Sequence, residues 1–199
     1  MSQTGVDVLQ TVTFVVIVLI GLAWYLSYSA SRLDRLHAKV EGSMSALDAQ
    51  LVRRAEATLE LANSGALDPA SALLLADAAT DSLERTTEHP VDDDLLDGQH
   101  FGGREETEAA LTEVLSVALT PGVVAELRAR DSARVDDALD RIAASALRAR
   151  MARQFHNDAV REVTRVRDKR VVRWFRLAGH ARLPERVEFD DALPPSLVG

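Results

Sequence analysis

The residues whose type and spacing invite a chemical reading are few: one run of aspartates, five histidines and an isolated Gly-Ser step. Asp92, Asp93, Asp94 and Asp97, with His100 behind them, could together hold a divalent cation. Their spacing fits neither an EF-hand loop nor a zinc signature. Adjacent carboxylates repel one another, so a solvated acidic loop is the better reading. His37, His89, His100, His156 and His180 are scattered, without the His-Glu-x-x-His spacing that puts two ligands on one helix face. Gly98, Gly102 and Gly103 precede no Lys-Ser/Thr pair and follow no strand, so they form no phosphate loop. Gly42-Ser43 lies inside helical periodicity, without the Gly-x-Ser-x-Gly elbow of a serine nucleophile. Cysteine is absent, which removes disulfides, thiolate metal sites and a cysteine nucleophile. The expectation is a protein that is not an enzyme, with no catalytic residues, no cofactor and no metal.

The elements that would carry any other function are helical. Of 199 residues, 47% are hydrophobic and 5% aromatic, with 10 Gly and 6 Pro, and Ala, Leu, Arg, Asp and Glu dominate. That mixture favours helices over a β-sandwich or barrel. A net charge of −8 argues against a general nucleic-acid-binding role.

Between Asp7 and Arg32, 24 consecutive residues carry no charge. As a helix they would extend about 36 Å, enough to cross the roughly 30 Å hydrocarbon core of a bilayer. Trp24, Tyr25 and Tyr28 lie near one end, where amphipathic rings favour the lipid–water boundary. Met1 to Gln10 contains no Lys or Arg, unlike the start of a cleaved signal peptide. The reading is a retained transmembrane helix over residues 8–31, after a short extracytoplasmic segment, 1–7. Arg32, Arg35 and Lys39 follow the span at once, so the positive-inside rule puts the amino terminus outside and the rest of the chain in the cytoplasm.

Beyond the span, Leu33, Leu36, Val40, Met44, Leu47, Leu51, Ala55, Leu59 and Ala62 recur in steps of three and four. This predicts one long amphipathic helix, continuous with the span and ending at Asn63-Ser64-Gly65. Asp68-Pro69 restarts a helix that reaches about Glu88. A third spans Arg104 to Leu119, a short piece follows Pro121, and a last long helix begins after Asp131-Ser132 and extends to about Arg170. The fold class is therefore all-α: a single N-terminal transmembrane helix, then an up-and-down antiparallel bundle of about four helices over residues 32–178, with an irregular tail at 179–199. An even count returns the last helix towards the membrane. There Arg170, Arg173, Trp174, Phe175 and Arg176 form a basic-aromatic cluster suited to an anionic lipid surface. Asp77 to Asp140 holds 17 acidic and 5 basic residues, whereas Arg141 to Arg186 holds 13 basic and 4 acidic. A solvated basic helix face is the competing explanation for the second stretch.

Two segments resemble the signature ends of the LemA family of bacterial membrane-anchored helical proteins. The first is Leu33 to Glu56, with Ala-Leu-Asp-Ala-Gln-Leu-Val-Arg-Arg at Ala46 to Arg54 as its core. The second is Ala152 to Val160, followed by a basic stretch, Trp174-Phe175 and Phe189 among acidic residues. Where the family carries a Pro-Asn pair, this chain has Ala57-Thr58-Leu59-Glu60, and Arg167-Asp168-Lys169-Arg170 replaces its Phe-Pro turn. The resemblance implies an antiparallel bundle on a single anchor with no established catalytic activity.

Both motifs fall on the long first and last helices. Asp48, Gln50, Arg53, Arg54, Arg153, Gln154, Asn157 and Asp158 are therefore expected to meet across their contact and fix its register, or else to form a recognition patch for a protein partner. The functional expectation is a scaffold or adaptor at the bacterial cell membrane, working through lipid and an unidentified protein. The alternative is a regulatory or sensor subunit of a membrane enzyme such as a protease or transporter. An enzyme using the acidic loop and a metal is a third, weaker reading.

Overall fold

The computed structural model describes residues 3–88, 101, 103–130, 132–175 and 182–197. Among them are six helices and no strand: α1 (Gln3–Ala62), α2 (Pro69–Glu88), α3 (Arg104–Ala118), α4 (Pro121–Ala129), α5 (Ala133–Arg167) and α6 (Arg170–Trp174). A single 3-10 turn, Pro195–Leu197, closes the described chain.

The breaks fall where backbone chemistry demands them. Gly65 takes φ +73°, a left-handed conformation that L side chains avoid, and so turns the chain after α1. Asp68 then caps α2, its Oδ1 accepting from the backbone N–H of Ala70 and of Ser71, each at 3.1 Å, with Pro69 first in the helix. Thr120 and Pro121 start α4 in the same way, at a 69° bend from α3.

Three apolar layers hold the bundle. Nearest the amino-terminal half of α1, Leu33, Leu36 and Val40 pack on Ala159, Val160, Val163 and Val166 of α5 and on Val172 of α6. In the middle, Met44, Leu47 and Leu51 meet Ala149 of α5 and Val187 and Phe189 of the tail. At the far end, Ala55, Leu61, Leu75, Leu111, Leu115, Val124, Leu127, Leu139 and Ile142 draw all five long or middle helices together, with Leu197 of the tail among them. Arg32 pairs with Glu162 while Glu60 pairs with Arg134, so α5 runs antiparallel to α1 and returns to the level where α1 entered the bundle.

α1 shows no break between its uncharged stretch, residues 8–31, and the bundle. From Leu9 to Leu22 its large apolar side chains are exposed, Phe14 at 68% and Ile20 at 64%, and no described residue covers them. Ten such side chains in water would forgo on the order of 10–20 kcal/mol of burial, as much as a whole domain's net stability. This helix is long and apolar enough to cross a membrane. α3 and α4 pass the same length-and-composition test together, but they bury Leu111, Leu115, Val124 and Leu127 in the core.

Residues 182–194, expected to be irregular, form no helix or strand, yet they are not loose. They run back along α5, with Val187 and Phe189 in the middle layer. The aspartate run from Asp92 to Asp97 and His100 lie outside the described residues, as do Arg176, His89 and His180.

Candidate functional site

The polar residues of the first signature do not face those of the second. The buried contact between α1 and α5 is largely apolar, many of its residues Ala and Val, while Asp48 and Arg54 turn to α3 and Arg153 and Asn157 turn to the tail.

On α1, Arg54 is 2% exposed and lies against α3. Its Nη2 donates to Glu108 Oε2 at 2.7 Å and to the Glu108 carbonyl at 3.1 Å, and its Nη1 donates to Thr112 Oγ1 at 3.0 Å. Glu108, fully buried, also accepts from Ser82 of α2 at 2.7 Å and from Arg104 Nε at 3.4 Å. Arg104 in turn pairs with Asp48, one residue back in the same α1 motif from the Ala-Gln that precedes Leu51. Two cations and two carboxylates thus join α1, α2 and α3 with balanced charge. Such a network is poor evidence for extra stability, because desolvation offsets attraction, but it penalises any other helix register severely.

On α5, the second signature holds the tail. The side-chain amide of Asn157 donates to the Val187 carbonyl and accepts from the Val187 N–H, both at 3.0 Å, as a neighbouring strand would. Arg153 pairs with Asp191 at 2.8 Å and lies 5.5 Å from the ring of Phe189. Phe189 stacks on Phe101 at 6.3 Å, and Arg104 lies over that ring at 5.4 Å. A single chain of contacts therefore runs Asp48–Arg104–Phe101–Phe189–Arg153–Asp191 across α1, α3, the tail and α5.

Of the remaining residues, Gln50 is half-buried with Oε1 unpartnered, Arg53 and Gln154 point outward, and Asp158 pairs with Arg161. Arg170, Arg173, Trp174 and Phe175 are all exposed; Trp174, at 87%, packs edge-on to Phe175.

Residue types and spacing alone missed the partners. Glu108 and Arg104 stand four apart at the start of α3 and carry no motif; Ser82 and Asp191 are as ordinary. His156, set aside there as scattered, is fully buried between three elements. Its Nε2 lies 3.1 Å from the Glu185 carbonyl, which can only accept, so Nε2 carries the proton, and Nδ1 faces the Ser43 hydroxyl of α1 at 3.2 Å. Burial pushes its pKa below the ordinary imidazole value, partly offset by the backbone carbonyls of Glu185 and Val40. His37 is lowered too, by burial and by the Arg167 guanidinium, which outweigh Glu41 and Asp34.

Among the described residues no three His, Asp or Glu side chains converge as metal ligands. Set against family models, curated proteins and solved structures, the chain matches none.

Proposed function

We propose that the protein is a single-pass membrane protein of LemA type, whose bundle serves as a scaffold or adaptor at the inner face of the bacterial cell membrane. The observation that carries this reading is the uncovered apolar half of α1 running without interruption into a packed bundle. The exposed Trp174-Phe175 pair supports it, since α6 packs through Val172 beside Leu33, immediately after the apolar stretch. Rings and arginines at that level suit the headgroup region. The charges after the span favour a cytoplasmic bundle and an extracytoplasmic amino terminus.

Function then resides in binding. Gentle solubilisation of membranes expressing the tagged chain is expected to retain a stoichiometric protein partner, lost when Arg53 and Gln154, the outward-facing signature residues, are both replaced by Ala. Isolation of the chain alone under several mild detergents would count against a scaffold. A second reading, a regulatory subunit that relays a signal to or from a membrane enzyme, draws on the continuity of α1. A helix unbroken from Gln3 to Ala62 can transmit rotation or displacement from the bilayer to the far core.

A further inference from the structure

Beside Arg32, where α1 emerges from its uncharged stretch, a cleft of about 300 Å³ opens between α1 and α5. It is lined by Val166, by four cations, Arg32, Arg161, Arg165 and Lys169, and by two carboxylates, Asp158 and Glu162. Both carboxylates are already engaged. Glu162 pairs with Arg32 at 3.8 Å and with Lys39 at 3.4 Å, and Asp158 pairs with Arg161. Arg165 and Lys169 have no carboxylate within ion-pairing distance among the described residues. Arg161 and Arg165 come from successive turns of α5 and Lys169 from the bend just past its end, and all three line the cleft.

We propose that this cleft binds the phosphate headgroup of an anionic glycerophospholipid. Four cations against two carboxylates leave two positive charges, which suits a headgroup with one or two phosphodiesters. The level of the cleft decides between lipid and soluble ligand. Arg32 is the first charge after the 24 uncharged residues, so its guanidinium falls in the interfacial layer, about 5–7 Å deep on each side of the hydrocarbon core. Arginine presents a planar fork that matches phosphate oxygens two at a time, and lysine adds a mobile point charge. Acyl chains leaving the headgroup towards the bilayer meet the exposed apolar face of α1. The site is separate from the Arg170–Phe175 surface, whose residues do not line the cleft.

The inference rests on the membrane reading above, and its test separates the two. The full chain is purified in a neutral detergent, stripped of lipid, and its thermal unfolding is followed with short-chain phosphatidylglycerol, cardiolipin, phosphatidylcholine or inorganic phosphate. The anionic lipids are expected to raise the melting temperature saturably, while phosphatidylcholine does not. Replacement of Arg165 and Lys169 by Gln weakens apparent binding at least tenfold; Arg148→Gln with Arg150→Gln, two exposed arginines of α5 that do not line the cleft, leaves it within twofold. Equal loss in both double variants would reduce the effect to general surface charge and overturn the site. Phosphate binding as tightly as phosphatidylglycerol would overturn the lipid assignment. If instead the chain fractionates away from membranes in cells, the membrane reading fails whatever the detergent assay gives.

Discussion

Glu108 accepts hydrogen bonds from Arg54, Ser82 and Arg104 with no access to solvent, so each partner is defined by what its loss would strand. Removing the carboxylate in Glu108→Ala leaves the Arg54 guanidinium buried without its counter-ion and should cost about 3–5 kcal/mol. The paired replacement Arg54→Met with Glu108→Leu should recover most of that loss, because apolar side chains of similar volume escape the desolvation penalty. Chemical unfolding of the detergent-solubilised chain measures both. A pair no more stable than Glu108→Ala alone would refute the network account. His156 makes the second residue-scale prediction. Its folded pKa lies below its unfolded value, so the unfolded chain binds the proton more readily. Stability is therefore full above about pH 6.5 and declines as pH falls below the unfolded value. His37 contributes with the same sign. The melting temperature should drop between pH 7.5 and 5.5, and His156→Gln, which can still donate to the Glu185 carbonyl, should flatten that slope.

The helices were legible because each boundary is a local event. The step of three and four from Leu33 to Ala62, the left-handed Gly65 and the Asp68-Pro69 cap need no knowledge of the rest of the chain. Side-chain pairing between elements is not local, which is why the spacing of the signature residues does not reveal that Asp48 and Arg54 meet α3 and that Arg153 and Asn157 meet the tail. The tail itself gave no periodic signal. Val187 and Phe189 point inward from an extended segment interrupted by charges, and only the groove beside α5 explains them. This element carries its own test. Asn157→Asp keeps the acceptor for the Val187 N–H but sets an anion against the Val187 carbonyl, and should cost about 1–3 kcal/mol. Phe189→Ala removes the ring between Arg153 and Phe101, with an expected loss of roughly 3 kcal/mol. In both variants limited proteolysis should cut residues 182–197 well before α1 or α5 is attacked. Simultaneous loss of tail and helices would mean that the tail is integral to the bundle rather than strapped onto it.

At the scale of the molecule, three features lie along one axis: an uncovered apolar helix, a cationic and aromatic collar, and a packed core farthest from the span. Among the described residues, the acidic side chains from Asp77 to Asp140 lie on α2, α3, α4 and the start of α5, whereas Arg141, Arg148, Arg150, Arg153, Arg161, Arg165 and Arg167 follow α5 back to the collar. A dipole of this sense favours an anionic surface on the collar side and keeps the distal end clear of it. The central claim is that α1 crosses the membrane with the bundle on the cytoplasmic side. The chain has no cysteine, and Asn63, just past α1 at the distal end, is exposed while the neighbouring Ser64 hydroxyl is engaged with Leu61 and Ala66. Asn63→Cys therefore makes a single-site reporter with little disturbance. Intact cells treated with a membrane-impermeant maleimide should leave it unlabelled, with full labelling after lysis; labelling in intact cells would contradict the account and place the bundle on the outer side.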